Sequence, residues 1–500
     1  MIMLAPLLKF PAFPEIALLG MICIVLLLEL FVKQKQGVVT YVAAQLSLLI
    51  TLCLVFCLHS VPAQVIFNQQ FTWDPIAYVI KLSLLILSIF AFIYARDAIK
   101  EKPMPEGFQE VKSKGSIHSG EFYLLGLFSI LGMLILTSAN SLLSLYLGLE
   151  LLSFPLYALV ALQRGCTNSA EAAMKYFILG ALASGLFLYG LSLLYGVTHS
   201  LMIPTISQAL LQGGQSPIIL SIGLIFIVAG IAFKLGAVPF QLWVPDVYQG
   251  APTPVTLFIG SAPKVAGMAM AIRLLIDALP SLHNLWQPLL AIIAICSFGL
   301  GNLVAIVQTN LKRMLAYSAI AHIGYTLLGL VSGSPFGYAM SLFYVFIYAL
   351  MAIGSFGLLI VVSQSGQEVE RIDDLRGLNA RNPWLAFLML LIMFSMAGIP
   401  PTAGFFAKMG ILSALILTHQ IWLATLAIIF AIIGSYYYLY VVKVMYFEEP
   451  ETTMPSLRVA QDAYLALSIN AILLLVLGLF PSQLIWLTRA AFMTISTPIY

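Results

Sequence analysis

Nine ionisable side chains stand inside otherwise apolar stretches of this 500-residue sequence: Lys81, Lys175, Lys234, Lys264, Lys408 and Lys443, with Glu29, Glu150 and Glu171. At about 3 kcal/mol for each charge placed in hydrocarbon, nine would cost roughly 27 kcal/mol, more than the roughly 5 to 15 kcal/mol by which proteins are stable. Most must be paired, neutral or hydrated. None of the six cations is an arginine. A buried lysine can give up its proton, whereas arginine keeps its charge, so an all-lysine set suits reversible proton loading. Static ion pairs between helices are the alternative.

Depth sorts these groups. Lys443 and Glu29 lie about a turn from the inner ends of their segments and Lys81 near the outer end of the third, where snorkelling to water suffices. Glu150 and Lys264 are about 10 and 11 residues into theirs, roughly 15 Å at 1.5 Å per residue, and so sit near the midplane. Lys234 is mid-segment, and Lys408 stands between a break and a further apolar run. Glu171 and Lys175 are spaced i, i+4, which suits a salt bridge on one helix face as well as a proton path. His322 is the one histidine inside a segment, read either as a relay between Lys264 and Lys408 or as a satisfied core side chain.

The elements that must position these groups follow from composition. With 61% hydrophobic and 9% charged residues, against about 25% charged in soluble domains, a water-soluble enzyme is excluded. Fourteen apolar segments are legible, among them 140–162, 170–196, 217–245, 253–277, 312–333, 384–414 and 461–486. The expected fold is an all-α polytopic membrane protein. The first apolar stretch shows no cleavage pattern and reads as a retained anchor. The seventh segment is interrupted at 234–239 and the twelfth at 397–404 by Gly and Pro. Broken backbone at membrane depth is tolerated where it is buried or lines a wet cavity. The two breaks are five spans apart and so run in opposite directions, the pattern of an inverted repeat. The expected units are helices 1–3 with an inner loop (1–119), a first repeat of helices 4–8 (120–277), a second of helices 9–13 (286–446) and a last helix (461–500).

Lysine and arginine in alternate loops set the orientation. One side takes Lys33, Lys35, Arg96, Lys100, Lys102, Lys112, Lys114, Arg164, Lys312, Arg313, Arg371, Arg376, Arg381 and Arg458, and the other only Lys9, Arg273 and Arg489. Both termini are thereby expected outside. Cys23, Cys53, Cys57, Cys166 and Cys296 form no CxxC or Cys/His cluster, so they read as apolar filler with no metal site. Neither of the longer loops, 96–119 and 363–383, is large enough for a nucleotide or cluster domain, and no GxGxxG or Walker pattern occurs. No NADH, flavin or ATP site is expected in this chain, nor any nucleic-acid partner.

The run FKLGAVPFQLWVPDVYQGAPTPV (233–255), followed by SAPK (261–264), resembles subunit N of bacterial type I NADH-quinone oxidoreductases, respiratory complex I, in the family of antiporter-like membrane subunits. NLKRMLAYS (310–318) with His322, EAAMKYF (171–177) and GIPPTAGFFAK (398–408) resemble the same family. The other two antiporter-like subunits commonly carry Pro-Asp-Ala-Met where Pro245-Asp-Val-Tyr248 stands here, and lysine rather than glutamate at 408 leans away from subunit M. The resemblance implies a proton-translocating subunit with its helix-5 glutamate at Glu150, its helix-7 lysine at Lys234, its helix-8 lysine at Lys264 and its helix-12 lysine at Lys408, and the reading of the residues themselves adds Lys175 (with Glu171 as a possible partner) and His322 to the path. It implies a bacterial inner membrane and neighbouring membrane-arm subunits as partners in the lipid bilayer. NADH, FMN, iron-sulfur clusters and quinone would be handled by other subunits, with no cofactor here. A subunit of a multisubunit cation/proton antiporter or membrane-bound hydrogenase, or a non-pumping structural arm subunit, are the alternatives.

Overall fold

The computed structural model describes residues 9–31, 37–99, 119–163, 165–213, 216–363, 369–449 and 460–493. Lys33, Lys35, Lys100, Lys102, Lys112, Lys114, Arg164 and Arg458, with most of the 96–119 loop, lie outside them.

The chain opens with α1 (Phe13–Phe31) and α2 (Val38–Cys57), a hairpin of β1 (Gln64–Ile66) and β2 (Phe71–Trp73), and α3 (Pro75–Ile99). Then come α4 (Ser119–Thr137), α5 (Leu142–Val160), α6 (Thr167–Thr198), a short α7 (Ile203–Gln212), α8 (Pro217–Leu235), α9 (Trp243–Gly250), α10 (Thr253–Gly260) and α11 (Ala262–Ala271), which runs on as a π turn over Ile272–Ala278. The rest is α12 (His283–Ile306), α13 (Leu311–Val331), α14 (Pro335–Val362), α15 (Leu378–Arg381), α16 (Pro383–Ala397), α17 (Ala403–Leu417), α18 (Ile421–Phe447), α19 (Gln461–Leu479) and α20 (Ser482–Met493).

Among the described residues thirteen helical stretches are long and apolar enough to cross a membrane, and α16 with α17 makes a further, broken one. That matches fourteen apolar segments. Local sequence sets the boundaries. Ser141 caps α5 in a reciprocal pair with Ser144, Asn310 caps α13 and Asn382 caps α16. Pro217, Pro335 and Pro383 each open a helix where their missing N–H costs nothing. The core is α10, α11, α13 and α14, buried on almost every side, while α1, α2 and α6 present much of their apolar surface outward.

The structure corrects several readings of the sequence. Arg273 is not a loop residue: it lies 4% exposed on the π turn, where its guanidinium takes both carboxylate oxygens of Asp74 (2.6 and 2.9 Å), Asp277 (3.0 Å) and the Thr137 carbonyl (3.0 Å). Arg273 lies within the expected 253–277 segment rather than in the loop after it, so one interior cation is an arginine. Lys312 is likewise buried, its Nζ 3.4 Å from the Ala251 carbonyl. Lys81 does not snorkel. The hairpin folds over it, setting Nζ 4.7 and 5.0 Å from the Phe71 and Trp73 rings, and Glu15 closes an ion pair at 2.5 Å. The 217–245 segment is helical to Leu235 and again from Trp243, and 461–486 is interrupted after Leu479. The hairpin and α7 were not legible as apolar segments.

Candidate functional site

Both expected breaks are present and are built alike. α8 ends at Leu235 with Gly236 in the left-handed region (φ 78), and α16 ends at Ala397 with Gly398 there too (φ 82). Glycine tolerates that conformation where a side chain would clash. Each terminus leaves carbonyls that the helix cannot pair, and a lysine takes them. Lys264, on α11, donates to the Leu235 carbonyl at 2.8 Å. Lys408, on α17, donates to Met396 (3.0 Å) and Ala397 (2.8 Å). The negative end of a helix dipole favours a cation, so both breaks hold one. A ring faces each ammonium: Trp243 at 4.9 Å from Lys264 and Tyr325 at 5.5 Å from Lys408.

Lys234, on the last turn of α8, is almost fully buried and donates to the Ser153 hydroxyl of α5 at 2.8 Å. Glu150 is one turn earlier on α5 and accepts from Ser184 of α6. The glutamate and the lysine therefore do not touch. Ser153 takes the lysine's hydrogen bond, and Glu150 is the acidic charge that acts on Lys234.

His322 lies inside α13, 2% exposed, between two phenols: Nδ1 is 2.9 Å from Tyr344 and Nε2 3.1 Å from Tyr438, which also bonds Ser318 at 2.5 Å. Tyr348, one turn after Tyr344 on α14, sets its ring 5.2 Å from the imidazole. Lys408 is the cation whose charge acts on His322.

Glu171 and Lys175 lie apart from this interior line. Lys175 is exposed and pairs with Glu171 (2.8 Å) and with Asp246 of α9 (2.8 Å), and Arg313 joins Asp246 at 2.9 Å. These four charges rim a cleft of about 740 Å³ walled by α6, α9, α12 and α13. Burial works to raise the Asp246 carboxyl, but hydrogen bonds from Lys175 and Arg313 outweigh it and hold the group below the ordinary aspartate range.

Sequence reading missed Ser153, Ser184, Asp246 and the tyrosines. Tyr344 and Tyr348, one turn apart in an apolar helix, were the available signal.

Long apolar helices around a buried line of lysines, two of them seated on broken helices, define a polytopic membrane protein of the antiporter-like class. The family model described as NADH:quinone oxidoreductase/Mrp antiporter, transmembrane, matches residues 139–434. NADH-quinone oxidoreductase subunit N of Thioalkalivibrio sulfidiphilus is 49% identical over 484 residues, covering 96% of this chain and 98% of that one. A chain of respiratory complex I from Thermus thermophilus superposes with a TM-score of 0.79 at 31% identity, covering 95% of this chain and 99% of its own. A chain of the Mrp complex from Dietzia shares the fold alone, with a TM-score of 0.80 at 18% identity over 100% of this chain and 98% of that one. The chain belongs to the NADH-quinone oxidoreductase subunit N family.

Proposed function

We propose that this chain is the proton-translocating, antiporter-like subunit of a membrane-bound NADH:quinone oxidoreductase, moving protons as other subunits pass electrons from NADH to quinone. The observation that carries the reading is the pair of buried lysines, Lys264 and Lys408, each held by the freed carbonyls of a broken helix. Such a cation is stabilised by dipoles rather than by a fixed counter-charge, so it can release its proton without leaving an orphaned carboxylate behind.

In this reading Glu150 and Lys234 load the path, Lys264 receives the proton, and His322 and Lys408 carry it through the second half. Water spans the gaps that side chains cannot bridge. Lys175 with Glu171 tunes the inner mouth. The working units are residues 1–119, an inverted pair at 120–277 and 286–446, and a closing segment at 461–500 that begins with α19 and α20. Family membership supports a bacterial inner membrane and other membrane-arm subunits as neighbours, and the Lys/Arg bias between alternate loops supports both termini outside. NADH, FMN, iron-sulfur clusters and quinone belong to those other subunits.

The test is Lys234→Ala and Glu150→Ala in the assembled complex. Pumping and coupled quinone reduction should fall, while oxidation of NADH with an artificial acceptor is retained. Full pumping in both variants sinks the site assignment and leaves a structural arm subunit.

A further inference from the structure

The interior line has a joint that the lysines and histidine do not supply. Lys264 sits on Leu235 beneath Trp243, while His322 is held by Tyr344 of α14 and Tyr438 of α18. Between them stand Tyr248 of α9 and Tyr348 of α14. The Tyr248 ring meets Trp243 edge-on at 6.5 Å, the same indole that faces the Lys264 ammonium. Its hydroxyl is fully enclosed, and a Cβ on Gly260, one turn before Lys264, would lie 3.3 Å from it. Among the described residues that hydroxyl closes no well-directed hydrogen bond, although it faces the hydroxyl of Tyr348. Tyr348 in turn sets its ring 5.2 Å from His322, and its hydroxyl lies in the field of Tyr438, the partner of His322 Nε2.

A buried hydroxyl without a settled partner is costly. We infer that Tyr248 and Tyr348 form a hydroxyl relay that passes protons between the lysines of the first half and His322 of the second. The inference rests on the proton-translocating function proposed above. A phenol both gives and accepts a proton, and with an ordinary pKa near 10 it stays neutral while doing so. A proton arriving from Lys264 forms a new O–H bond at Tyr248 as the old one breaks towards Tyr348. Tyr348 gives up its own proton towards Tyr438 and the His322 imidazole. Each tyrosine ends with one proton and no charge, and rotation about the two C–O bonds resets the pair.

The experiment uses the whole complex in liposomes carrying an internal pH dye, with Tyr248→Phe, Tyr348→Phe, the double variant, Tyr348→His and Lys264→Met. Each phenylalanine variant should slow NADH-driven acidification on the order of fivefold, with artificial-acceptor NADH oxidation unchanged. The double variant should lose no more than the worse single one, because both cut the same hop. Tyr348→His, which again gives and accepts a proton, should recover acidification, whereas a purely packing role would not be rescued. If Tyr248→Phe does not assemble, Tyr348→Phe with its rescue decides alone. Full acidification in the phenylalanine variants beside a defective Lys264→Met overturns the relay and spares the function. Full acidification in Lys264→Met overturns the function itself. A loss that Tyr348→His leaves unrepaired also overturns the relay.

Discussion

Lys264 and Leu235 are joined by a 2.8 Å hydrogen bond that ties a buried ammonium to the last residue of a helix ending inside the membrane. The next residue, Gly236, makes room for it. An added Cβ there would lie 2.6 Å from Val244 Cγ2 and 3.1 Å from Lys264 Nζ, at a φ of 78. Left-handed backbone costs a residue with a Cβ about 1–2 kcal/mol. Gly236→Ala should therefore assemble in lower yield and lose most of its pumping. Gly185→Ala, with nothing within 4 Å, is the control and should behave as the parent. Both are read by NADH-driven acidification per assembled complex.

Lys408 distinguishes a carried proton from a fixed charge. Arginine keeps a cation near the Met396 and Ala397 carbonyls but does not deprotonate in proteins. Lys408→Arg should abolish translocation while the complex stays assembled. A Lys408→Arg complex that pumps normally would make this lysine a static counter-charge to the α16 terminus.

Arg273 is a matter of stability. Removing one partner from a buried ion pair typically costs about 3–5 kcal/mol, and Arg273→Ala would leave Asp74 and Asp277 without their shared guanidinium. The variant should show a lowered unfolding temperature in detergent and a depleted membrane fraction. Arg371→Ala, whose side chain is mostly exposed, should match the parent.

Asp74, just before α3 begins, gives that cluster a pH dependence. Burial works to raise its carboxyl, but the charge and hydrogen bonds of Arg273 and the Ala77 N–H outweigh it and hold the group below the ordinary range. A depressed carboxyl contributes stability that is complete above the unfolded value, about 3.9, and is lost as pH falls through the lower folded value. The stability gap between the parent and Asp74→Asn should stay constant from neutrality to about pH 5 and close below about pH 4. A gap that widens with acid would contradict the pairing.

Much of the fold was legible because hydropathy and Gly/Pro punctuation report directly on bilayer crossing. The breaks beside Lys234 and Lys408 both appear where the sequence puts them. What it hid were relations across long separations. Nothing local to Arg273 announces Asp74, and nothing local to Lys81 announces Glu15 or a hairpin lid. Depth places Glu150 and Lys234 in the membrane interior but cannot show the Ser153 hydroxyl that takes the hydrogen bond of Lys234. The tyrosines passed unremarked because an aromatic in an apolar helix looks like packing until its hydroxyl has a neighbour.

One helix carries a consequence for how the chain is built. Every residue of α14 from Ala339 to Val362 is buried, so a segment greasy enough to enter lipid unaided ends with no lipid contact of its own. Hydrocarbon offers no solvent penalty to drive such a helix inward, and close approach through small residues must do so instead. Gly354 meets Asn470 and Ile392, and Gly357 meets the Tyr94 ring, each closer than a Cβ would allow. Insertion and final placement are thus governed by different residues of the same segment: bulky side chains commit α14 to the bilayer, and its glycines decide whether it reaches the centre. A larger residue at Gly354 or Gly357 would leave a chain fully inserted yet unassembled, a defect of quality control rather than of topology.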